Sequence, residues 1–136
     1  MAERWAIVVG AFYSELAGRL VEGAQRVFSG AADVYEVPGA FELPLAARYC
    51  ADAGYDGVAC LGAVIRGETD HYDFVCSSAA SGILRVGLDT GVPCAFGVLT
   101  VDNMEQALER TGGGKRHQGE DAARAVIQMA QLKRSL

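Results

Sequence analysis

The sequence predicts an α/β protein in which a four-stranded parallel sheet lies between two helical layers, a three-layer α/β/α sandwich. Three observations predict it. Short apolar runs alternate with amphipathic segments along the whole chain. The runs are nearly continuous in apolar residues, as strands covered on both faces are. Each run is separated from the next by enough chain for a helix, which parallel pairing requires. Right-handed crossovers then place helices on both faces of the sheet.

The elements follow in order. Trp5 to Gly10 is the first apolar run and the first strand. From Ser14 to Phe28, Leu16, Leu20, Ala24 and Val27 recur on one helical face, while Glu15–Arg19 and Glu22–Arg26 form favourable pairs outside. Ala32 to Val37 reads as the second strand, ended by Pro38-Gly39. A helix is expected from about Phe41 to Ala53; it tolerates Pro44 in its first turn, and Gly54 closes it. Gly57 to Ala63 is the third strand.

A helix from Asp70 to Asp89 turns Val75, Ala79, Ile83 and Val86 inward and carries a polar stripe of Asp73, Ser77, Ser81, Arg85 and Asp89. Pro93 to Thr100 is the fourth strand. Asp102-Asn-Met-Glu105 has the spacing of a capping box with Asp in the N-cap place, and opens a short helix ending near Arg110. Gly112-Gly113-Gly114 stops it. The last helix runs from about Gly119 to Arg134, with Ala123, Val126, Ile127 and Ala130 inward and a Glu120–Arg124 pair outside. With no linker or repeat, residues 1–136 read as a single domain.

Composition narrows the function. Hydrophobic residues make up 51% of the chain and glycine adds 17 more residues, above the roughly 45–50% apolar usage of ordinary soluble domains. Close helix packing around alanine and glycine accounts for part of the excess, and cover by neighbouring subunits for the rest. The net charge of −5 and pI near 4.9 argue against nucleic acid or an anionic membrane as partner, although Lys115-Arg116-His117 is a candidate basic patch. No apolar run approaches the ~20 residues of a membrane span. Met-Ala-Glu-Arg-Trp leads directly into a strand, so no signal or transit peptide is expected and the setting is cytoplasmic. Cys50, Cys60, Cys76 and Cys94 are scattered without metal-ligand spacing and read as reduced, mostly buried thiols; no metal is expected.

In parallel sheets ligands bind beyond the carboxyl ends of the strands. The segments there are Ala11-Phe12-Tyr13, Pro38 to Glu42, Ala63 to His71, and Thr100 to Asn103. The loop from Arg66 to Asp70 leaves a strand and enters a helix, so its backbone N–H groups suit an anion. Arg66 and Thr69 flank that space, and His71, one of two histidines in the chain, stands beside it as a candidate for proton transfer. Phe12 is a candidate platform for a planar ring. Glu42, at a helix start, is either a dipole partner or a ligand contact. Arg110 stands at a helix C-terminus, where its guanidinium suits either the dipole or a phosphate brought close by another subunit. The glycine spacings lack the Lys-Ser/Thr of a nucleotide-triphosphate loop.

Three segments together resemble the lumazine synthase family: Val37-Pro-Gly-Ala-Phe-Glu-Leu-Pro44; Gly62-Ala-Val-Ile-Arg-Gly-Glu-Thr69 followed by His71-Tyr-Asp-Phe-Val-Cys76; and Phe96-Gly-Val-Leu-Thr100 with Glu105-Gln-Ala-Leu-Glu-Arg110. The resemblance covers nearly the whole chain and implies a flavodoxin-like fold. It implies a transferase that condenses 5-amino-6-(D-ribitylamino)uracil with 3,4-dihydroxy-2-butanone 4-phosphate in riboflavin biosynthesis, without a cofactor. By that resemblance, Phe12 stacks on the pyrimidine and backbone around Ala63, Val64 and Ile65 bonds its edge. Ala40, Phe41 and Glu42 hold the ribityl chain. Glu68 and Thr69 receive the phosphate and His71 shuttles protons. Phe96 and Arg110 correspond to residues given across a subunit boundary, Arg110 to the phosphate.

The resemblance further implies a homo-oligomer, a pentamer or an icosahedral shell built of pentamers. Three departures stand out. Ala11 and Tyr13 flank Phe12 where the family commonly has Arg or Ser and Asn. Gly113-Gly-Lys-Arg-His-Gln118 replaces a Gly-Thr-Lys-Ala-Gly-Asn-Lys type of segment, with Gln118 where lysine is common. The arm before the first strand is short. A catalytically weak flavin- or lumazine-binding or storage protein is the alternative reading. A flavodoxin-like electron carrier is disfavoured, because Gly10-Ala-Phe-Tyr-Ser-Glu15 lacks the Ser/Thr and Gly run that cradles a flavin phosphate.

Overall fold

The computed structural model describes residues 2–67, 71–112, 114 and 116–136. Four parallel strands, β1 (Trp5–Gly10), β2 (Asp33–Val37), β3 (Gly57–Ile65) and β4 (Cys94–Val101), lie in the order β2-β1-β3-β4. The helices are α1 (Ser14–Val27), α2 (Leu43–Asp52), α3 (His71–Thr90), α4 (Met104–Glu109) and α5 (Gln118–Ser135). The architecture is the flavodoxin-like three-layer sandwich.

Alternation along the strands builds two cores. Ile7, Val9, Ala59, Leu61, Leu99 and Val101 point to one face and meet Leu16 and Leu20 of α1, Ala107 of α4 and Val126 of α5. Their neighbours Ala6, Val8, Val58, Cys60 and Val98 point to the other and meet Leu43 and Ala47 of α2 and Ala79 and Ile83 of α3. Parallel strands buried on both faces cannot alternate apolar with polar residues, which is why the runs are continuous in sequence.

The chain steps one way from β1 to β2, then back past β1 to β3. Keeping one crossover hand through that reversal requires α1 and α2 on opposite faces, as they are. The reversal leaves a crevice between the carboxyl ends of β1 and β3.

Most expected boundaries shift by a residue or two. β3 continues to Ile65, beyond the expected Ala63, because Val64 and Ile65 pair with Thr100 and Val101 of β4. The helix expected from Phe41 opens instead with a 3-10 turn, Ala40–Glu42, in which the Glu42 N–H reaches the Gly39 carbonyl at 3.2 Å. Pro44 then falls in the first turn of α2, where a missing N–H costs no helical bond.

The capping box is displaced by one residue. Asn103, not Asp102, caps α4: its Oδ1 accepts the Gln106 N–H at 2.9 Å, while Gln106 Oε1 accepts the Asp102 N–H at 2.8 Å. Asp102 is drawn away by Arg66, whose Nε donates to its Oδ1 at 2.9 Å.

Candidate functional site

A cleft of about 590 Å³ opens at the crevice between β1 and β3, within the usual range for small-molecule sites. Phe12 and Tyr13 after β1, Pro38 to Glu42 after β2, and Ala63 to Ile65 at the end of β3 line it, with His71, Tyr72 and Val75 of α3.

Each wall has a local cause. Phe12 leaves β1 76% exposed, its ring braced edge-on by Tyr13 at 4.9 Å between centroids. An aromatic so exposed beside a cleft is not core packing. Phe41, 62% exposed, is placed by the 3-10 turn. The same turn sets Glu42 at the N-terminus of α2, on the wall of the cleft. Behind these residues the ends of β1 and the β2 loop touch backbone to backbone. A Cβ on Gly10 would stand 2.9 Å from the Gly39 carbonyl carbon, so only glycine permits the approach that shapes this wall.

The β3 exit is fixed separately. The Arg66 N–H donates to the Val101 carbonyl at 2.9 Å, and its guanidinium bridges Asp102 while lying 4.3 Å over the Tyr72 ring. Arg66 is therefore engaged on the β4 side, and its expected place beside the anion space goes to that pairing. Burial, first among several causes, raises the Tyr72 phenol above its usual range, so at neutral pH it keeps its proton. Glu68 and Thr69, the expected phosphate contacts, lie outside the described residues, as does Asp70.

Of the expected site residues, Phe12, Ala40, Phe41, Glu42, Ala63, Val64, Ile65 and His71 share the cleft. Phe96 and Arg110 do not. Phe96 sits on the edge strand β4, opposite Cys60 in register and 36% exposed. Arg110 caps the C-terminus of α4. Among the described residues it is the one arginine whose side chain makes no hydrogen bond, ion pair or ring contact.

The expected basic patch dissolves where it is described. Arg116 pairs with Asp121 at 2.8 Å, and His117 caps α5. The four thiols are unpaired; burial raises each, Cys94 up to about 11, which keeps them poor nucleophiles at neutral pH. Among the described residues no three of His, Cys, Asp and Glu converge as a metal site would require.

A family model described as 6,7-dimethyl-8-ribityllumazine synthase matches residues 2–134. The chain belongs to that family. A 6,7-dimethyl-8-ribityllumazine synthase of Deinococcus deserti is 48% identical over 140 residues, covering 98% of this chain and 90% of the relative. That of Deinococcus radiodurans is 47% identical, with the same coverage. The chloroplastic enzyme of Spinacia oleracea is 47% identical over 95% of this chain, which spans 61% of the plant protein.

The cleft brings together an exposed aromatic, an acid at one helix start and a histidine at another. Sequence reasoning placed Tyr13 at the ligand edge but did not single out Tyr72 and Val75 as lining residues. Tyr72 was findable, since it follows His71 in the first turn of a helix that opens at the ligand edge. Tyr13 stood both in a segment at the ligand edge and as a departure from the family pattern.

Proposed function

We propose that this chain condenses 5-amino-6-(D-ribitylamino)uracil with 3,4-dihydroxy-2-butanone 4-phosphate, releasing inorganic phosphate and water and forming 6,7-dimethyl-8-ribityllumazine, a transferase step of riboflavin biosynthesis. The observation that carries this reading is a cleft lined by Phe12, Glu42 and His71 at the β1–β3 crevice, in a chain matched by the family model over residues 2–134.

In this reading Phe12 stacks on the pyrimidine, and backbone at Ala63, Val64 and Ile65 bonds its edge. The turn Ala40–Phe41–Glu42 holds the ribityl chain, with the Glu42 carboxylate accepting from its hydroxyls. Glu68, Thr69 and Arg110 take the phosphate. The substrate amine is already nucleophilic, so the protein mainly holds two reactants in register, an effect that can reach ~7–11 kcal/mol. Imine formation, phosphate elimination and ring closure each move a proton, which His71 relays.

Arg110 and Phe96 lie away from the cleft of their own chain, which supports a site completed by a neighbouring copy. The exposed apolar residues of α2 and α3, among them Tyr49 at 64%, Phe74 at 72% and Leu88 at 76%, support the same conclusion. The assembly we propose is a pentamer, with an icosahedral shell of pentamers as its larger form; light scattering separates the two. We place the protein in the cytoplasm; no helix among the described residues is long and apolar enough to cross a membrane.

The test is direct. Purified protein given both substrates develops lumazine fluorescence and releases one phosphate per product. Fluorescence change on adding product alone, with no turnover of the substrate pair, would instead identify a binding or storage protein.

A further inference from the structure

His117 is the residue before α5 and its N-cap: Nδ1 accepts the Glu120 N–H at 3.4 Å. Its ring occupies a slot on α1 that exists only because residue 23 is glycine. A Cβ on Gly23 would stand 2.1 Å from the imidazole Cε1. The backbone of His117 pairs antiparallel with Thr111, and the Gln118 N–H donates to the Arg110 carbonyl at 2.8 Å. Thr111, 4% exposed, anchors the other side, its hydroxyl donating to the Ala107 and Leu108 carbonyls at 3.2 Å each. Arg110 is thus held from behind by the start of α5, and the start of α5 is held by an imidazole.

That imidazole must be neutral. An N-cap accepts a backbone N–H, and imidazolium has no lone pair to offer. The positive end of the α5 dipole also opposes a charge there. Glu22 and Arg26 of α1 and Glu120 and Asp121 of α5 face the ring. Burial lowers its pKa most, the three carboxylates raise it and Arg26 lowers it, with a net downward result. Arg26 itself is tied to Glu120 at 2.9 Å and to Glu22 at 3.4 Å.

We propose that His117 is a positioning residue for Arg110: its neutral ring fixes the backbone that aims the guanidinium at the substrate phosphate, and protonation releases it. The proposal rests on the phosphate-binding role given to Arg110 above. It makes this chain's affinity for the phosphate-bearing substrate sensitive to acid through a group outside the cleft.

The experiment compares wild type with His117→Asn and His117→Ala, using steady-state KM for 3,4-dihydroxy-2-butanone 4-phosphate and kcat. The pH runs from about 8 down to about 5.5, across the ordinary imidazole range. Asparagine caps a helix well and does not titrate in this range. Changes in the substrate's own ionisation affect all three proteins alike and cancel in the ratios. His117→Asn keeps the wild-type KM at pH 8 but escapes the acid rise, leaving wild type about fivefold weaker by comparison at the lowest pH, the order of a lost N-cap. His117→Ala shows a raised KM at every pH, with kcat little changed.

An acid limb in His117→Asn equal to that of wild type overturns the proposal, as does a wild-type KM in His117→Ala. Amide exchange at Gln118 and Glu120, read without substrate, assigns the fault. Protection lost on acidification in wild type but kept in His117→Asn, with KM flat, means the latch opens but Arg110 does not bind the phosphate. Protection unchanged in wild type means the latch itself is absent.

Discussion

Arg66 at the exit of β3 and Asp102 at the exit of β4 form a 2.9 Å ion pair that clamps together the two strand ends beside the cleft. The pair is about half exposed on both sides, so solvent screens it and it adds little to global stability. The pair and the Tyr72 ring 4.3 Å from the guanidinium hold the Arg66 side chain, and the role predicted for them is positional. Asp102→Asn should leave the melting temperature nearly unchanged while raising the KM for the phosphate-bearing substrate several-fold. An unchanged KM, measured at saturating pyrimidine, counts against a positioning role.

Positioning and proton relay predict different penalties. Arg110→Ala should nearly abolish turnover, because charge-assisted phosphate binding holds one reactant in place. His71→Ala should slow kcat by no more than about 10²-fold, the low end for a proton-transfer residue, since water substitutes in part. Steady-state assays that rank the two losses the other way round would falsify the positioning account.

The Gly10–Gly39 contact makes a sharper structural prediction. A Cβ on Gly10 meets backbone at 2.9 Å, and backbone cannot rotate aside as a side chain would. Gly10→Ala should therefore destabilise the fold by about 1–3 kcal/mol, the range for an overpacked site. It should also weaken ribitylaminouracil binding. Urea unfolding and a KM measurement on the same variant check both. Gly18→Ala, where the added Cβ meets nothing within 4 Å, is the control.

His117 also predicts how stability varies with acid. Its pKa in the fold lies below the unfolded value of about 6.5. The unfolded chain then binds the proton first, so the contribution is fully present above about pH 6.5 and is lost as pH falls through the folded value. Denaturant midpoints of wild type should decline on acidification more steeply than those of His117→Asn, and the two should converge above about pH 7. Parallel declines would mean that other groups govern the acid limb.

How far the sequence reaches can be judged residue by residue. That Phe12, Glu42 and His71 would share one cleft was legible, because a parallel sheet opens its crevice at the carboxyl ends of strands and each follows such an end. The Arg66 pairing was not legible: its partner lies 36 residues away, just past a strand whose register the sequence does not reveal. For the same reason the α4 cap moved from Asp102 to Asn103. A local capping rule lost to a contact made across the sheet. His117 looked like part of a basic patch, since nothing local says that α1 keeps a glycine-sized slot for its ring.

The sequence by itself determined the strand and helix succession, the parallel sheet and the edge at which the cleft opens, because these follow from periodicity and connection length. Only the tertiary structure decided which charged groups neutralise one another and which is left over. Pairing depends on distances between segments far apart in the chain, and a guanidinium's availability is known only when every nearby carboxylate has been given a place. By that accounting Arg110 is the arginine left without a partner among the described residues.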